Sequence, residues 1–516
     1  MAKSLPSGLL VAGYSLLVLA WVFSNPPGAA PDEPSNYVKA VAVGSGQFLG
    51  RPGDYPASAG AAFGLTGPRL ARASLTTRWV QIPFRLAPEG FACDAFLPAV
   101  SAGCLQDSLP LATTIDQPTY AGTYQPFVYF PSGILTWLAN DARTALLLAR
   151  LGAALLCIAL IALAAWLLVR GRTNALALSG LVVAATPMVV FASATVSASG
   201  PEICAGLCFF AVVLRMAQPG GIDRWDWSAL AFSGSVLALS RPLGALWMAL
   251  GALTLVLVMG FRPAWHRLRS GGLAAVVALG VVSLAVAAGF AWEVAFEPHR
   301  PTSLSEVLAF VPGALASFSQ TFRGEVGIFG WLDTDMPALA YSAWYILVFT
   351  LVAVAAVLGT WRDRLVLLSL AVLSFVVTVV LAAGFVLPLG FGLQGRHVLA
   401  FTVAVPLLAG EILYRRAGRL PRIKAGHWMV AFTAVAAAVQ AVGWFANARR
   451  YAVGVNGPAD FIANAQWSPP LGWWPWIVVV VAGCLALLAA GIAAGRSPAR
   501  AAGSRTEPQP LAPAAA

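Results

Sequence analysis

Long runs of apolar residues, separated by short polar connections, make up most of this chain. A membrane-crossing helix takes about 20 mostly apolar residues, and we count about twelve such runs, some of them short. The runs cover residues 9–23, 145–169, 175–195, 203–217, 227–240, 243–260, 272–291, 341–360, 365–386, 398–414, 428–445 and 474–494. The pattern predicts an all-α polytopic membrane protein with about twelve transmembrane helices.

Two connections are much longer than a turn between helices requires. The first, residues 25–144, predicts a small folded cap, because long segments of this kind in membrane proteins are usually functional. Residues 33–47 within it have the apolar spacing of a short helix lying on the membrane surface. The second long connection is residues 292–340. We expect one transmembrane domain over residues 1–494, both loops included, and a disordered cytoplasmic tail over residues 495–516.

Basic residues recur on every second connection. With the amino terminus in the cytoplasm, Arg170, Arg172 and the run from Arg415 to Lys424 all fall on the inner side, as the positive-inside rule requires. We therefore expect a multi-pass protein of the plasma membrane, with both termini in the cytoplasm and both long loops outside. The first run can alternatively be a cleaved signal peptide, given Lys3 and its short apolar core.

Composition supports membrane integration and excludes two classes of function. The chain is 59% hydrophobic with a mean hydropathy of +0.78. Its net charge of +11 comes from Arg residues scattered over short connections, so we predict no nucleic-acid partner. The sequence contains no glycine-rich lysine loop for nucleotide phosphates. A nucleotide-driven motor is therefore not expected.

Two adjacent carboxylates, Asp32 and Glu33, follow the first apolar run within Pro31-Asp32-Glu33-Pro34. Acids near a membrane lie at interfaces, in cavities or in pairs because their burial in lipid is costly. One interpretation is a catalytic base at Asp32, with Glu33 as its neighbour or as an ion ligand. The alternative is an ordinary helix cap, since an acid before proline suits the start of a helix.

Two cysteines, Cys93 and Cys104, lie in the predicted cap. Disulfides persist outside the cytoplasm, so we expect this pair to be bridged. Two unrelated thiols are the alternative. The other four cysteines fall inside apolar runs and are expected to be small core residues.

Three basic residues stand near the outer ends of predicted spans: Arg241 before Pro242, and Arg396 with His397. A guanidinium can hold phosphate oxygens through two hydrogen bonds, which indicates a phosphate site at the outer interface. Snorkelling to lipid headgroups and pairing with a nearby acid are the alternatives.

Several short motifs follow one another along the chain, each occurring once. They are Pro31-Asp32-Glu33-Pro34 with Tyr37 and Ala40, the Cys93 and Cys104 pair, Tyr124-Gln125-Pro126 with Tyr129, Ser199-Gly200-Pro201-Glu202-Ile203, Arg241-Pro242-Leu243-Gly244 and Gln394-Gly395-Arg396-His397. Together they resemble the bacterial membrane proteins grouped as domain of unknown function 2142, which are placed with the GT-C glycosyltransferase superfamily.

The resemblance implies an integral membrane glycosyltransferase. Such an enzyme would move a sugar from a polyprenyl-phosphate donor to a cell-envelope glycan or protein on the outer face, with membrane lipids as further partners. In this interpretation Asp32 and Glu33 are catalytic, and Arg241, Arg396 and His397 bind the donor phosphate. The residues expected to line the substrate groove are Tyr37, Tyr124, Tyr129 and Glu202. No cofactor is certain, although Asp32 and Glu33 could hold a Mg²⁺ or Mn²⁺ ion.

Two other functions compete with this one. About twelve spans also suit a transporter or a flippase for lipid-linked glycans, although we find no internal repeat between the two halves. A non-catalytic scaffold for envelope assembly is the third hypothesis. Convergence of Asp32, Arg241 and Arg396 on one side of the membrane would favour the enzyme.

Overall fold

Every apolar run of the sequence folds as helix. The computed structural model describes residues 5–62, 65–88, 90–105, 114–172, 174–297, 303–419 and 422–496. Its α-helices are α1 (Leu5–Ser24), α2 (Glu33–Gly44), α3 (Ala57–Ala62), α4 (Pro68–Thr76), α5 (Phe130–Leu135), α6 (Ala142–Val169), α7 (Leu178–Ala184), α8 (Pro187–Ser193), α9 (Ser199–Met216), α10 (Arg224–Ala238), α11 (Gly244–Met259), α12 (Phe261–Arg269), α13 (Gly272–Phe296), α14 (Leu304–Gly327), α15 (Ala338–Leu358), α16 (Trp361–Leu381), α17 (Leu399–Thr402), α18 (Ala404–Arg415), α19 (Arg422–Val453) and α20 (Trp474–Arg496).

Five short strands depart from the all-helical expectation. They are β1 (Arg51–Pro52), β2 (Arg78–Pro83), β3 (Thr114–Thr119), β4 (Ile328–Phe329) and β5 (Thr334–Asp335). Turns of 3₁₀-helix occur at Phe84–Leu86, Ala102–Cys104, Phe127–Tyr129, Thr136–Leu138, Leu387–Leu389, Gly395–His397 and Ala417–Arg419. Residues Ala382–Val386 form one turn of π-helix. The tail predicted over residues 495–516 lies, from residue 497 onward, outside the described residues.

The predicted count of twelve spanning helices is not confirmed. Within the described ranges, eight helices are long and apolar enough to cross a membrane, or nine if α11 and α12 form one bent span. The eight are α1, α6, α9, α13, α15, α16 with its continuation to Leu389, α19 and α20. The run over residues 175–195 is shorter than a span because Pro187 begins a second helix, α8.

Burial separates central helices from peripheral ones. The apolar window of α9 is 94% buried in the protein, whereas that of α13 is only 22% buried. Helix α9 packs against α6, α10 and α11, and α1 packs against α6 and α20. The bundle is therefore arranged around α9, and the exposed apolar side chains of α13 and α15 suit contact with lipid.

The cap predicted over residues 25–144 folds over the end of the bundle at which α1 ends and α6 begins. Strands β1, β2 and β3 form an antiparallel sheet in that order, with Val80 opposite Gln117. Helix α2 packs between this sheet and α5. A Cβ atom on Gly44 would lie 2.3 Å from the Gly133 carbonyl oxygen, so this close approach of α2 to α5 requires glycine. We call this end of the bundle the cap end.

The expected disulfide joins Cys93 to Cys104, with their Cα atoms 6.1 Å apart. Arg450 of α19 holds the same loop from the bundle side. Its guanidinium donates to the Asp94 carbonyl oxygen at 2.9 Å and to the Val100 carbonyl oxygen at 2.7 Å. The disulfide therefore closes the loop on itself, and the buried Arg450 fixes that loop to α19.

Residues 292–340, expected as an outer loop, contain the 24-residue helix α14. Its hydropathy is too low for a predicted span because Ser, Thr, Gln and charged residues interrupt the apolar ones. The helix packs against α8, α16 and the 3₁₀ turn at Gly395–His397. It is therefore part of the bundle and supports the turn that carries Arg396.

A buried lysine lies inside the cap. Lys39 of α2 is 1% exposed, and its ammonium donates to the carbonyl oxygens of Phe48 and Gly122, both at 2.6 Å. Burial lowers the pKa of Lys39 from 10.5 to about 7, with Glu297 opposing the shift. The folded protein consequently loses this proton at a lower pH than the unfolded chain does.

Because the unfolded chain holds one more proton between pH 7 and 10.5, the free energy of unfolding should rise with pH across that range. The expected slope from this residue is at most about 1.4 kcal/mol per pH unit. Thermal unfolding in detergent, followed by near-ultraviolet circular dichroism, measures the effect. The Lys39→Met variant should lack this component, so parallel pH profiles of the two proteins would contradict the assignment.

Candidate active site

The side chain of Asp32 does not cap its helix. Asp32 is the N-cap residue of α2, yet its carboxylate makes no hydrogen bond to the helix backbone. Oδ1 instead accepts a 3.0 Å hydrogen bond from the Tyr120 hydroxyl, and Oδ2 lies 3.2 Å from Nη2 of Arg396. The Asp32 side chain is 43% exposed. The capping interpretation is therefore excluded, and the carboxylate remains accessible beside a cation.

The backbone at Asp32 is held in an uncommon conformation. Its φ of 67° is left-handed, which costs a residue with a Cβ atom about 1 to 2 kcal/mol. Asn36 stabilises it by donating its side-chain amide to the Asp32 carbonyl oxygen at 2.8 Å, and Tyr129 donates its hydroxyl to Asn36. Strain of this kind is concentrated at functional sites, where surrounding contacts maintain it.

Arg396 reaches Asp32 from the other end of the sequence. It lies in the 3₁₀ turn Gly395–His397, which packs on the end of α14. A Cβ atom on Gly395 would lie 2.1 Å from the backbone nitrogen of Glu325, so only glycine permits this contact. Arg396 is 6% exposed, and its Nε has no hydrogen-bond partner in the described part of the protein. Nε is thus a buried donor that no described residue satisfies.

Arg241 forms the second cationic position. Its Nη2 donates to the Ser199 hydroxyl at 2.9 Å, and its Nε lies 3.7 Å from Oε2 of Glu202. Glu202 is fully buried, and its other oxygen accepts from the Trp247 indole at 2.8 Å. Glu202 is therefore a buried partner that orients Arg241. The sequence predicted that Glu202 lines the substrate groove, but its side chain is not exposed.

Tyr124 lies among the charged groups. Burial and Asp32 raise the pKa of its hydroxyl to about 12, while Arg241 and Arg396 oppose the shift. Burial lowers the pKa of the Arg396 guanidinium, Asp32 opposes this shift, and Arg241 adds to it. Asp32 and Arg396 therefore meet at the cap end, and Arg241 lies within electrostatic range of Arg396 and of the half-buried Tyr124.

His397 is not a third cation. Burial lowers the pKa of its imidazole well below 6.5, and Arg241 and Arg396 lower it further. The ring is consequently neutral at physiological pH. A neutral ring can still donate one hydrogen bond to a phosphate, so the phosphate-binding role of His397 stays a prediction, without a charge from the ring.

The side chain of Glu33 points into the protein, whereas that of Asp32 is partly exposed. Its oxygens accept from Arg150 at 2.8 and 2.6 Å, and both side chains are 1% exposed. The Val196 backbone nitrogen donates to Glu33 as well, at 3.1 Å. Arg150 also donates to the carbonyl oxygens of Asn25 and Pro26 at 2.8 Å. This buried pair joins α2 to the end of α1, to α6 and to the segment before α9.

The predicted tyrosines divide into two groups. Tyr37 and Tyr129 are 0% and 1% exposed in the cap core, and Tyr37 donates its hydroxyl to the Leu86 carbonyl oxygen at 2.9 Å. These two support α2 and do not line a groove, whereas Tyr124 lies at the site. Tyr120, whose hydroxyl donates to Asp32, is not among the residues predicted for the site. Its position at the end of β3 gives no local signal of that contact.

The surroundings of Asp32 do not fit the predicted divalent metal. Arg150 occupies both oxygens of Glu33, and a guanidinium lies beside Oδ2 of Asp32 where a metal would bind. Across the residues that the structure describes, no group of three or more His, Cys, Asp or Glu side chains could hold a metal ion.

The family model of predicted membrane proteins described as DUF2142 matches residues 16–405. The chain belongs to this family. The matched range of this DUF2142 protein contains Asp32, Tyr120, Arg241 and Arg396, and therefore the whole candidate site. No curated protein matches the sequence.

Two solved structures are similar to this DUF2142 protein. Crystal structures of ArnT from Cupriavidus metallidurans match it at 14% identity in the apo state and when bound to undecaprenyl phosphate. The apo match covers 93% of this chain and 75% of ArnT, with a TM-score of 0.43. The match to the bound form covers 95% and 77%, with a TM-score of 0.42.

Replacing Asp32 or Glu33 by its amide should change the free energy of unfolding by different amounts. Glu33→Gln leaves Arg150 as an uncompensated buried charge, so it should lower the free energy of unfolding by about 3 to 5 kcal/mol. Asp32→Asn removes a half-exposed carboxylate and should change it by less than about 1 kcal/mol. Thermal unfolding of both purified variants in one detergent measures the difference. Equal destabilisation would contradict the division into a structural and an accessible acid.

Proposed function

We propose that this DUF2142 protein is a GT-C-like inverting glycosyltransferase. It transfers a sugar from a polyprenyl-phosphate donor to a cell-envelope glycan or protein, and the reaction occurs at the cap end on the outer face of the plasma membrane. The proposal combines the residue geometry with the family resemblance. The observation that carries it is the accessible carboxylate of Asp32, held at a helix start without capping it and placed beside Arg396.

The chemistry requires a base and a place for negative charge. Asp32 takes the proton of the acceptor hydroxyl as the hydroxyl oxygen attacks the anomeric carbon of the sugar. The bond between that carbon and the phosphate oxygen breaks, and its electron pair leaves with the lipid phosphate. Arg396 and Arg241 stabilise the departing phosphate because they are fixed cations near the reacting atoms. Attack opposite the leaving group inverts the anomeric centre.

The ion pair between Asp32 and Arg396 couples donor binding to base activation. Without substrate, Arg396 lies 3.2 Å from Oδ2 of Asp32. A donor phosphate would compete for this guanidinium through a charge-assisted hydrogen bond. Asp32 would then retain the Tyr120 hydroxyl on Oδ1 and present Oδ2 to the acceptor. The base would thus become free only when a donor is in place.

The location of the charged groups favours transfer over transport. A carrier needs its charged residues near the middle of the bilayer, along a path through it. Here the acid lies in the connection between α1 and α6, and Arg396 lies in a turn before α17. Both positions are at the cap end, outside the eight candidate spans.

The Asp32→Asn variant should reduce sugar transfer at least about 100-fold because it removes the base. Mass spectrometry of envelope glycans and lipid-linked intermediates, in cells that carry only the variant gene, measures the loss. Asp116→Asn is a matched control, since Asp116 is an acid of the same cap that pairs with Arg51 outside the site. Normal product from Asp32→Asn, or equal loss from the control, would refute the assignment.

The Arg396→Ala variant should weaken binding of a short-chain polyprenyl phosphate by about 10- to 100-fold, since a hydrogen bond to a charged group is lost. Binding of this probe to the purified full chain can be followed by native mass spectrometry. Arg396→Lys should keep part of the affinity, because it retains charge without the two-pronged geometry. Arg51→Ala serves as the control. An unchanged affinity of Arg396→Ala would exclude the phosphate role.

A further inference from the structure

Helix α12 lies across the end of the bundle opposite the cap. The chain turns by 113° between α11 and α12, at Gly260 with a φ of 94°. Helix α13, a candidate span, begins at Gly272, directly after α12. Arg262, Arg267 and Arg269 lie within the nine residues of α12, and three arginines in one helix do not enter hydrocarbon. Helix α12 is therefore positioned at the level of the lipid headgroups.

The faces of α12 have the distribution of an interfacial helix. Ala264 is 3% exposed and faces the protein, whereas Phe261 and Trp265, four positions apart, are 68% and 47% exposed. The Arg269 guanidinium lies 4.7 Å from the centre of the Trp265 ring. Exposed aromatic rings beside arginines are typical of helices that lie in the headgroup layer.

The arginines of α12 have no acidic partner among the residues that the structure describes. Among the described residues, no carboxylate forms an ion pair with Arg262, Arg267 or Arg269. Nearby Arg172, by contrast, lies 2.6 Å from Glu411. The positive charge of α12 is therefore uncompensated within the described part of the protein, and a negatively charged partner outside the chain would complement it.

A cavity of about 500 Å³ opens beside α12. His266, Arg267 and Ser270 line one side, and Gly220, Gly221 and Ile222 of the facing loop line the other. Arg267 fixes the wall by donating to the Gln218 carbonyl oxygen at 2.9 Å and to that of Gly220. The cavity thus combines a cation and hydrogen-bond donors at headgroup level, which suits a phosphate diester.

We propose that α12 and this cavity form a binding site for an anionic phospholipid of the adjacent leaflet. The headgroup phosphate enters the cavity beside Arg267 and His266. Arg262 and Arg269 attract the anionic surface around it, and the rings of Phe261 and Trp265 lie among the acyl chains just below. This site lies at the opposite end of the bundle from Asp32 and is independent of the proposed transferase function.

Native mass spectrometry of the delipidated full chain in detergent tests the site. Phosphatidylglycerol and phosphatidylcholine with identical acyl chains are added in parallel. Wild type should retain phosphatidylglycerol preferentially, and R262Q/R269Q should lower that retention more than tenfold, since each surface arginine contributes about fivefold. R262K/R269K keeps both charges and should restore it.

The matched control is R364Q/R419Q. These two arginines are also exposed, and both donate to carbonyl oxygens at the end of α15. The control should leave the preference for phosphatidylglycerol unchanged. Equal retention of both lipids by wild type, or equal losses in R262Q/R269Q and the control, would overturn the proposal. Displacement of the lipid by glycerol phosphate at the lipid's own concentration would show a site for free phosphate and would overturn it too.

Discussion

The buried ion pair between Glu33 and Arg150 is the contact on which the cap end depends. Desolvating two charges is expensive, and the cost is offset only when the geometry and the remaining hydrogen bonds are satisfied. Here Arg150 also binds backbone carbonyl oxygens at the end of α1, and Glu33 binds the backbone before α9. The pair therefore fixes the start of α2 relative to three other elements.

The orientation of Asp32 follows from that fixation. Because Glu33 is held inward, the preceding residue takes a left-handed conformation and directs its carboxylate outward. Arg396, which contacts Asp32, lies in a turn more than 360 residues later in the chain. The close contact of Gly395 with α14 supports that turn. Two neighbouring acids with the same chemistry thus acquire different environments, one buried and one accessible, through the backbone turn at Asp32 and the side chains that hold each carboxylate.

Hydropathy and charge alternation predicted the membrane class, the helical runs, the cap and the disulfide, because each depends on local composition or on compartment. The site was predicted in part: the motifs identified Asp32, Arg241 and Arg396, which the fold brings together. Local sequence could not reveal that Glu33 is structural, since its partner Arg150 lies on another helix. It also could not show that burial leaves His397 neutral, or that Tyr120 meets Asp32, because both depend on packing between distant segments.

The attachment of the cap to α19 has a consequence for biogenesis. The disulfide between Cys93 and Cys104 can close early in synthesis, since both thiols belong to the same early segment. Arg450, however, is synthesised some 350 residues later, and only then can its guanidinium satisfy the carbonyl oxygens of that loop. The cap loop of a nascent chain therefore lacks this anchor until α19 has been synthesised. Truncation anywhere before α19 would leave those carbonyl groups without their buried donor. Quality-control proteases could recognise the incomplete chain by this unanchored loop.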